Sequence, residues 1–157
     1  MKRNFLEEKK FIKGFYILLI FILGLTGFAQ MPIFKRYYIA DIPGLGWLGN
    51  FYATHYIHYI GAALFFALAA YCVTAYFLSG KHQFSLSWSA YIRIALIMCI
   101  MITGVFRVLK NFPNIVFSPA FTIFIDISHL IFMFFLMIAA IFFLAIKSRW
   151  IEPESGV

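Results

Sequence analysis

Four uninterrupted apolar runs occupy most of this chain, and each is long enough for a helix to cross a bilayer. They cover roughly Phe11–Met31, Phe51–Leu78, Trp88–Leu109 and Pro119–Ile146. A helix rises about 1.5 Å per residue and the hydrocarbon layer is about 30 Å thick, so every run can span. The runs are continuous and do not alternate, which argues against membrane strands. Hydrophobic residues make up 64% of the chain and charged residues 12%. That leaves too little polar surface to coat a water-soluble globule or to solvate a disordered chain. The expected fold is therefore an all-α membrane protein, a four-transmembrane-helix bundle. Residues 1–10 form an N-terminal segment, 11–146 the helical domain, and 147–157 a C-terminal tail.

The run ends carry helix punctuation. Pro32 stops the first, Asn50 can cap the second, and Ser79-Gly80 suits its end. Ser118 followed by Pro119 is a favoured helix start. The net charge of +7 forms no basic face of the kind that binds nucleic acid, because the cations sit near or beyond the run ends, as membrane anchors do. Lys2, Arg3, Lys9, Lys10, Lys13, Lys81, Arg93, Lys147 and Arg149 fall on one side of a four-span arrangement. Lys35, Arg36, Arg107 and Lys110 fall on the other. Nine against four places both termini in the cytoplasm. The first run has a positive start but no convincing small-residue cleavage site, so it reads as a span and not as a signal peptide. Cys72 and Cys99 lack metal-site spacing and read as inert small hydrophobes.

The first and third runs end alike, in Thr26-Gly27 and Thr103-Gly104. Each is followed by an outer loop containing proline, and then by a helix with histidine near its start. This order predicts two pseudo-repeated helix pairs. Taken singly, either dipeptide reads as ordinary helix packing, with glycine allowing close approach and threonine returning its hydroxyl to its own helix.

Three of the four histidines carry the chemistry. His82, beside Lys81 in the short inner loop, reads as solvated. His55 and His58 open the second span and His129 lies near the start of the fourth, all toward the outer side. Imidazole within a membrane is uncommon and is functional by default. One imidazole from each of two helices suits a flat macrocycle whose iron takes two axial nitrogens. No Cys-x-x-Cys-His occurs, so a single haem b fits better than a covalently attached haem. Zinc fits less well, since it wants four ligands. His58 is favoured over His55 as the ligand opposite His129, because Gly61 shares its face and would leave room for a porphyrin edge. His55 then lies nearer water, to hydrogen-bond a propionate, to take a quinol proton, or to have no special role. Lys35, Arg36, Arg107 and Lys110 are candidate propionate partners. Asp126, three residues before His129, reads either as an aid to the site or as an interfacial acid facing water or an outer lysine. The apolar loop around Ile42-Pro43-Gly44-Leu45-Gly46-Trp47 reads as a docking surface.

With these residues in order, the chain resembles the four-helix cytochrome b subunits of membrane-bound formate dehydrogenases and nickel-iron hydrogenases. The carriers are Thr26-Gly27, His55 and His58, Thr103-Gly104, and His129. The resemblance implies a haem near the periplasmic face of a bacterial inner membrane, held by His58 (or His55) and His129. Family members usually hold a second haem nearer the cytoplasm. Here the first span has no histidine, and Phe142 and Phe143 stand where a deeper ligand is expected in the fourth. The chain thus looks like a one-haem member. The expected role is electron relay between quinone and an iron-sulfur or multihaem redox subunit, among other membrane subunits and lipids. A non-redox membrane anchor, in which the same histidines make interhelical hydrogen bonds, is the alternative. A transporter is disfavoured because no span is broken at mid-membrane.

Overall fold

The computed structural model describes residues 2–31, 41–80 and 84–153, with side chains over 10–31, 41–79 and 84–151. Pro32, Lys35, Arg36, Lys81 and His82 lie outside the described residues. The expectations placed on them are therefore not addressed by the structure.

The chain is all-α in its main elements. Helices α1 (Lys2–Ala29), α2 (Phe51–Ala75), α3 (Trp88–Leu109) and α4 (Pro119–Ala145) each contain a stretch long and apolar enough to cross a membrane. The expected runs are matched closely, with two differences. Helix α1 starts well before Phe11, because a helix does not need apolar residues to continue outside lipid. Helix α2 stops at Ala75 and passes into a π-helical turn over Tyr76–Gly80. The expected caps form. Asn50 Oδ1 accepts from the Ala53 amide at 3.2 Å, and Ser118 Oγ accepts from the Phe121 amide at 3.3 Å. Ser87 caps α3 in the same way, accepting from the Ala90 amide at 3.2 Å.

The chain divides into two compact units, residues 1–75 and 76–157. In the first unit α1 and α2 pack as an antiparallel pair. Leu19, Ala29 and Phe65 are buried, and Tyr16 meets Phe65 with ring centroids 6.1 Å apart. The loop before α2 turns at Gly44, which has φ +88°, and ends in a short 3₁₀ helix, Gly46–Gly49. That helix buries Leu48 and leaves Trp47 and Ile42 exposed.

In the second unit α3 and α4 form another antiparallel pair, burying Ala90, Ile125 and Phe143. Its far end carries a small sheet that the sequence reading does not anticipate. Strands β1 (Phe84–Leu86) and β2 (Ile151–Pro153) pair antiparallel, with Ser85 opposite Glu152. Ser87 and Ser89 hydroxyls both donate to the Arg149 carbonyl, the latter at 3.0 Å. The Arg93 guanidinium lies 4.7 Å from the Phe143 ring centroid and 4.8 Å from that of Trp150, and donates to the Ser148 carbonyl at 3.3 Å. The segment read as a C-terminal tail beyond residue 146 is tied to the start of α3 through residue 153.

At most 17% of any span is buried. Large side chains such as Phe11, Phe135 and Leu144 point outward from the chain. In water such faces would be unstable; in a bilayer they are the ordinary surface, since lipid tails are as apolar as leucine.

Candidate functional site

Each unit brings one Thr-Gly step against one histidine. In the first unit Thr26 is completely buried near the end of α1, and its Oγ1 lies 3.0 Å from His58 Nδ1. Next to it, Gly27 supports the ring: a Cβ there would stand 3.4 Å from His58 Cε1. In the second unit Thr103 Oγ1 lies 3.0 Å from His129 Nδ1. A Cβ at Gly104 would likewise stand 3.4 Å from His129 Cε1. Sequence reading found the two dipeptides and the two histidines but did not join them.

The threonine bonds determine which imidazole nitrogen carries hydrogen. Thr26 Oγ1 donates to the Ile22 carbonyl at 2.7 Å, and Thr103 Oγ1 donates to the Cys99 carbonyl at 2.7 Å. Two oxygens at that distance need the hydroxyl hydrogen between them, because otherwise their lone pairs repel. Each hydroxyl therefore has only acceptor capacity left for the ring. Nδ1 must donate, and the neutral ring then holds its lone pair on Nε2. This assigns a tautomer from the hydrogen-bond network.

The matching extends one turn further toward the helix ends. Gln30 follows Thr26 by four residues, as Arg107 follows Thr103; His55 precedes His58 by three, as Asp126 precedes His129. These positions are paired in both units. His55 Nδ1 and Gln30 Oε1 are 3.2 Å apart, and the Gln30 amide nitrogen donates to the Thr26 carbonyl at 3.2 Å. With that nitrogen engaged, Oε1 faces the ring and His55 Nδ1 donates to it. In the second unit Arg107 Nε lies 3.1 Å from Asp126 Oδ1, and Lys110 Nζ donates to Oδ1 at 2.8 Å and to Oδ2 at 2.7 Å. One unit thus closes with an amide–imidazole pair, the other with two cations on one carboxylate.

The structure positions the other expected site residues as follows. His55 stacks on Phe51, with centroids 5.2 Å apart, and lies 4.2 Å from the Tyr59 ring. Gly61 is buried on α2, and a Cβ there would meet Leu23 Cδ2 of α1 at 3.2 Å. Its missing side chain is used for helix approach. A shallow apolar groove of about 160 Å³ runs past it, lined by Leu19, Ile22, Ile57, Ile60 and Leu64. Arg107 and Lys110, read as propionate partners, are engaged by Asp126, which is the lysine-facing role anticipated for that acid. Gln30 is the residue that sequence reading missed. Its signal was available: the spacing from threonine that places Arg107 opposite Asp126 also places Gln30 opposite His55. In comparisons with protein-family models, with curated proteins and with solved structures, nothing matches the chain.

Proposed function

We propose that this chain is the membrane cytochrome b subunit of a respiratory oxidoreductase complex, a one-haem relative of the formate dehydrogenase and hydrogenase subunits. In this reading one haem b is held by His58 and His129 near the outer face of a bacterial inner membrane, with both termini cytoplasmic. The observation that supports it is the duplicated threonine–histidine bond. An axial imidazole coordinates through one nitrogen and usually donates the hydrogen of the other to a fixed acceptor. His58 and His129 both meet that requirement, with Nδ1–H held and the lone pair on Nε2. Within each unit, this is the form of imidazole that haem iron takes as a ligand.

When bound, the haem supplies one-electron transfer between quinone and a partner iron-sulfur or multihaem subunit. The protein's residues do the rest. Thr26 and Thr103 orient the rings, and Gly27 and Gly104 leave space for the ring edges. Arg107 and Lys110 together exceed the charge of Asp126 by one, which favours an acidic group nearby. Arg36 has the same role in this reading. His55, held by Gln30, is the alternative ligand or a polar contact beside the site.

A spectrum of the purified protein tests this. A reduced-state α band is expected, lost in His58→Ala and in His129→Ala and kept in His55→Ala. Haem retained in both of the first two variants would overturn the ligand assignment.

The same bonds favour a second reading. They join α1 to α2 and α3 to α4, as interhelical hydrogen bonds do in a non-redox anchor subunit. In that case the assembled complex carries no haem on this chain, and histidine variants change only helix-pair stability.

A further inference from the structure

We infer that Thr26 and Thr103 are positioning residues: each acts as a one-way hydrogen-bond acceptor that holds the ring of its histidine with Nε2 as the coordinating atom. The inference rests on the haem reading for its purpose but on the two units alone for its geometry.

The choice of threonine follows from helix chemistry. Within an apolar helix a hydroxyl donates to the carbonyl one turn earlier, since no water competes. Both threonines do so, and each also lies within reach of a second carbonyl, Leu23 at 3.4 Å and Ile100 at 3.0 Å. Donation to a carbonyl makes the hydroxyl oxygen a better acceptor toward the imidazole, because bonds in a chain polarise one another. A serine has the same chemistry. A valine has the same shape without it and removes the acceptor 3.0 Å from Nδ1, leaving His129 with the Ile100 carbonyl. The hydroxyl then no longer fixes the ring's tautomer and orientation. Glycine at the next position supports the same orientation, because the ring edge rests where a larger side chain would stand. The agreement of all these distances between two units of unlike surrounding sequence argues against accidental packing.

An acceptor on Nδ1–H strengthens electron donation by the imidazole and so stabilises the oxidised iron. Removing it should raise the midpoint potential. The test uses the full-length chain in lipid nanodiscs, as wild type and as Thr26→Val, Thr103→Val, Thr26→Ser and Thr103→Ser. Each valine variant should bind haem about 10- to 100-fold more weakly, the range seen when a ligand's outer partner is lost. The haem that does bind should titrate at higher potential. Both serine variants should restore affinity and potential. Wild-type values in the valine variants would overturn the proposal.

A haem-free measurement separates this inference from the reading it serves. Nitrogen-15 spectra of labelled histidines report which ring nitrogen is protonated. His58 and His129 should show the Nδ1–H tautomer in wild type and in the serine variants, and mixed or reversed tautomers in the valine variants. If wild type takes up no haem, the cytochrome reading fails, while these spectra still decide the role of the hydroxyls. An Nδ1–H form that persists with valine would defeat it. Thr26→Ala or Thr103→Ala, which remove the same hydroxyl, replace any valine variant that does not accumulate.

Discussion

Arg107 on α3 reaches Asp126 on α4 with 3.1 Å between Nε and Oδ1, at the positions where the first unit places Gln30 and His55. The carboxylate is about two-fifths exposed, so water or headgroups screen the pair and its contribution is about 1 kcal/mol or less. Asp126→Asn leaves Arg107 and Lys110 facing each other without their anion, a like-charge pair one turn apart. We expect a lower unfolding temperature in detergent. The double change Arg107→Gln with Asp126→His installs the other unit's pair and should recover part of the loss. A double variant less stable than the sum of the two single changes would show that the positions are not equivalent.

Gly27 and Gly104 should tolerate alanine but not valine. A Cβ at either site meets imidazole Cε1 at 3.4 Å, ordinary contact distance, whereas the branches of valine extend into the ring. Overpacking of this kind costs about 1–3 kcal/mol. Chemical unfolding of the four variants measures it; equal stability of alanine and valine at either site would contradict the packing described here.

Gly61 has a different job, and a different test. Its absent Cβ would press Leu23 Cδ2 at 3.2 Å, the end of a flexible side chain that can yield. Gly61→Ala should therefore cost less than about 1 kcal/mol, and Gly61→Leu about 1–3 kcal/mol by forcing α1 from α2. Cysteine crosslinking between the two helices would read the separation directly. A crosslinking rate unchanged by leucine would indicate that the two helices approach elsewhere.

Arg93 holds the segment after α4 through Phe143, Trp150 and the Ser148 carbonyl. Arg93→Ala removes a buried cation–π pair and a hydrogen bond, together about 2–3 kcal/mol of local attachment. The expected result is faster proteolysis between residues 146 and 153, with the helices intact. Unchanged cleavage would assign the attachment to the strand pairing and the serine hydroxyls instead.

Much of this architecture is legible in the sequence because it is local. Continuous apolar runs of sufficient length must form helices in lipid, where each backbone amide needs a partner within its own segment. The starts at Phe51, Trp88 and Pro119 follow from capping side chains within a turn of the boundary. The tie between Ser85 and Glu152 was not legible, since short strands between distant segments have no periodicity of their own. The tie between Gln30 and His55 was visible only as a spacing shared with Arg107 and Asp126, because a glutamine at a helix end has no chemistry until a partner faces it.

By itself the sequence determined four helices of membrane-crossing length and the duplicated order of Thr-Gly and histidine. Only the tertiary structure decided that Thr26 meets His58 and Thr103 meets His129, that Arg107 turns to Asp126, and that Gly61 receives Leu23. The reason is geometric. Helix formation depends on neighbours a few residues away, whereas the direction of a side chain and the nitrogen that carries its hydrogen depend on how one helix is rotated against another.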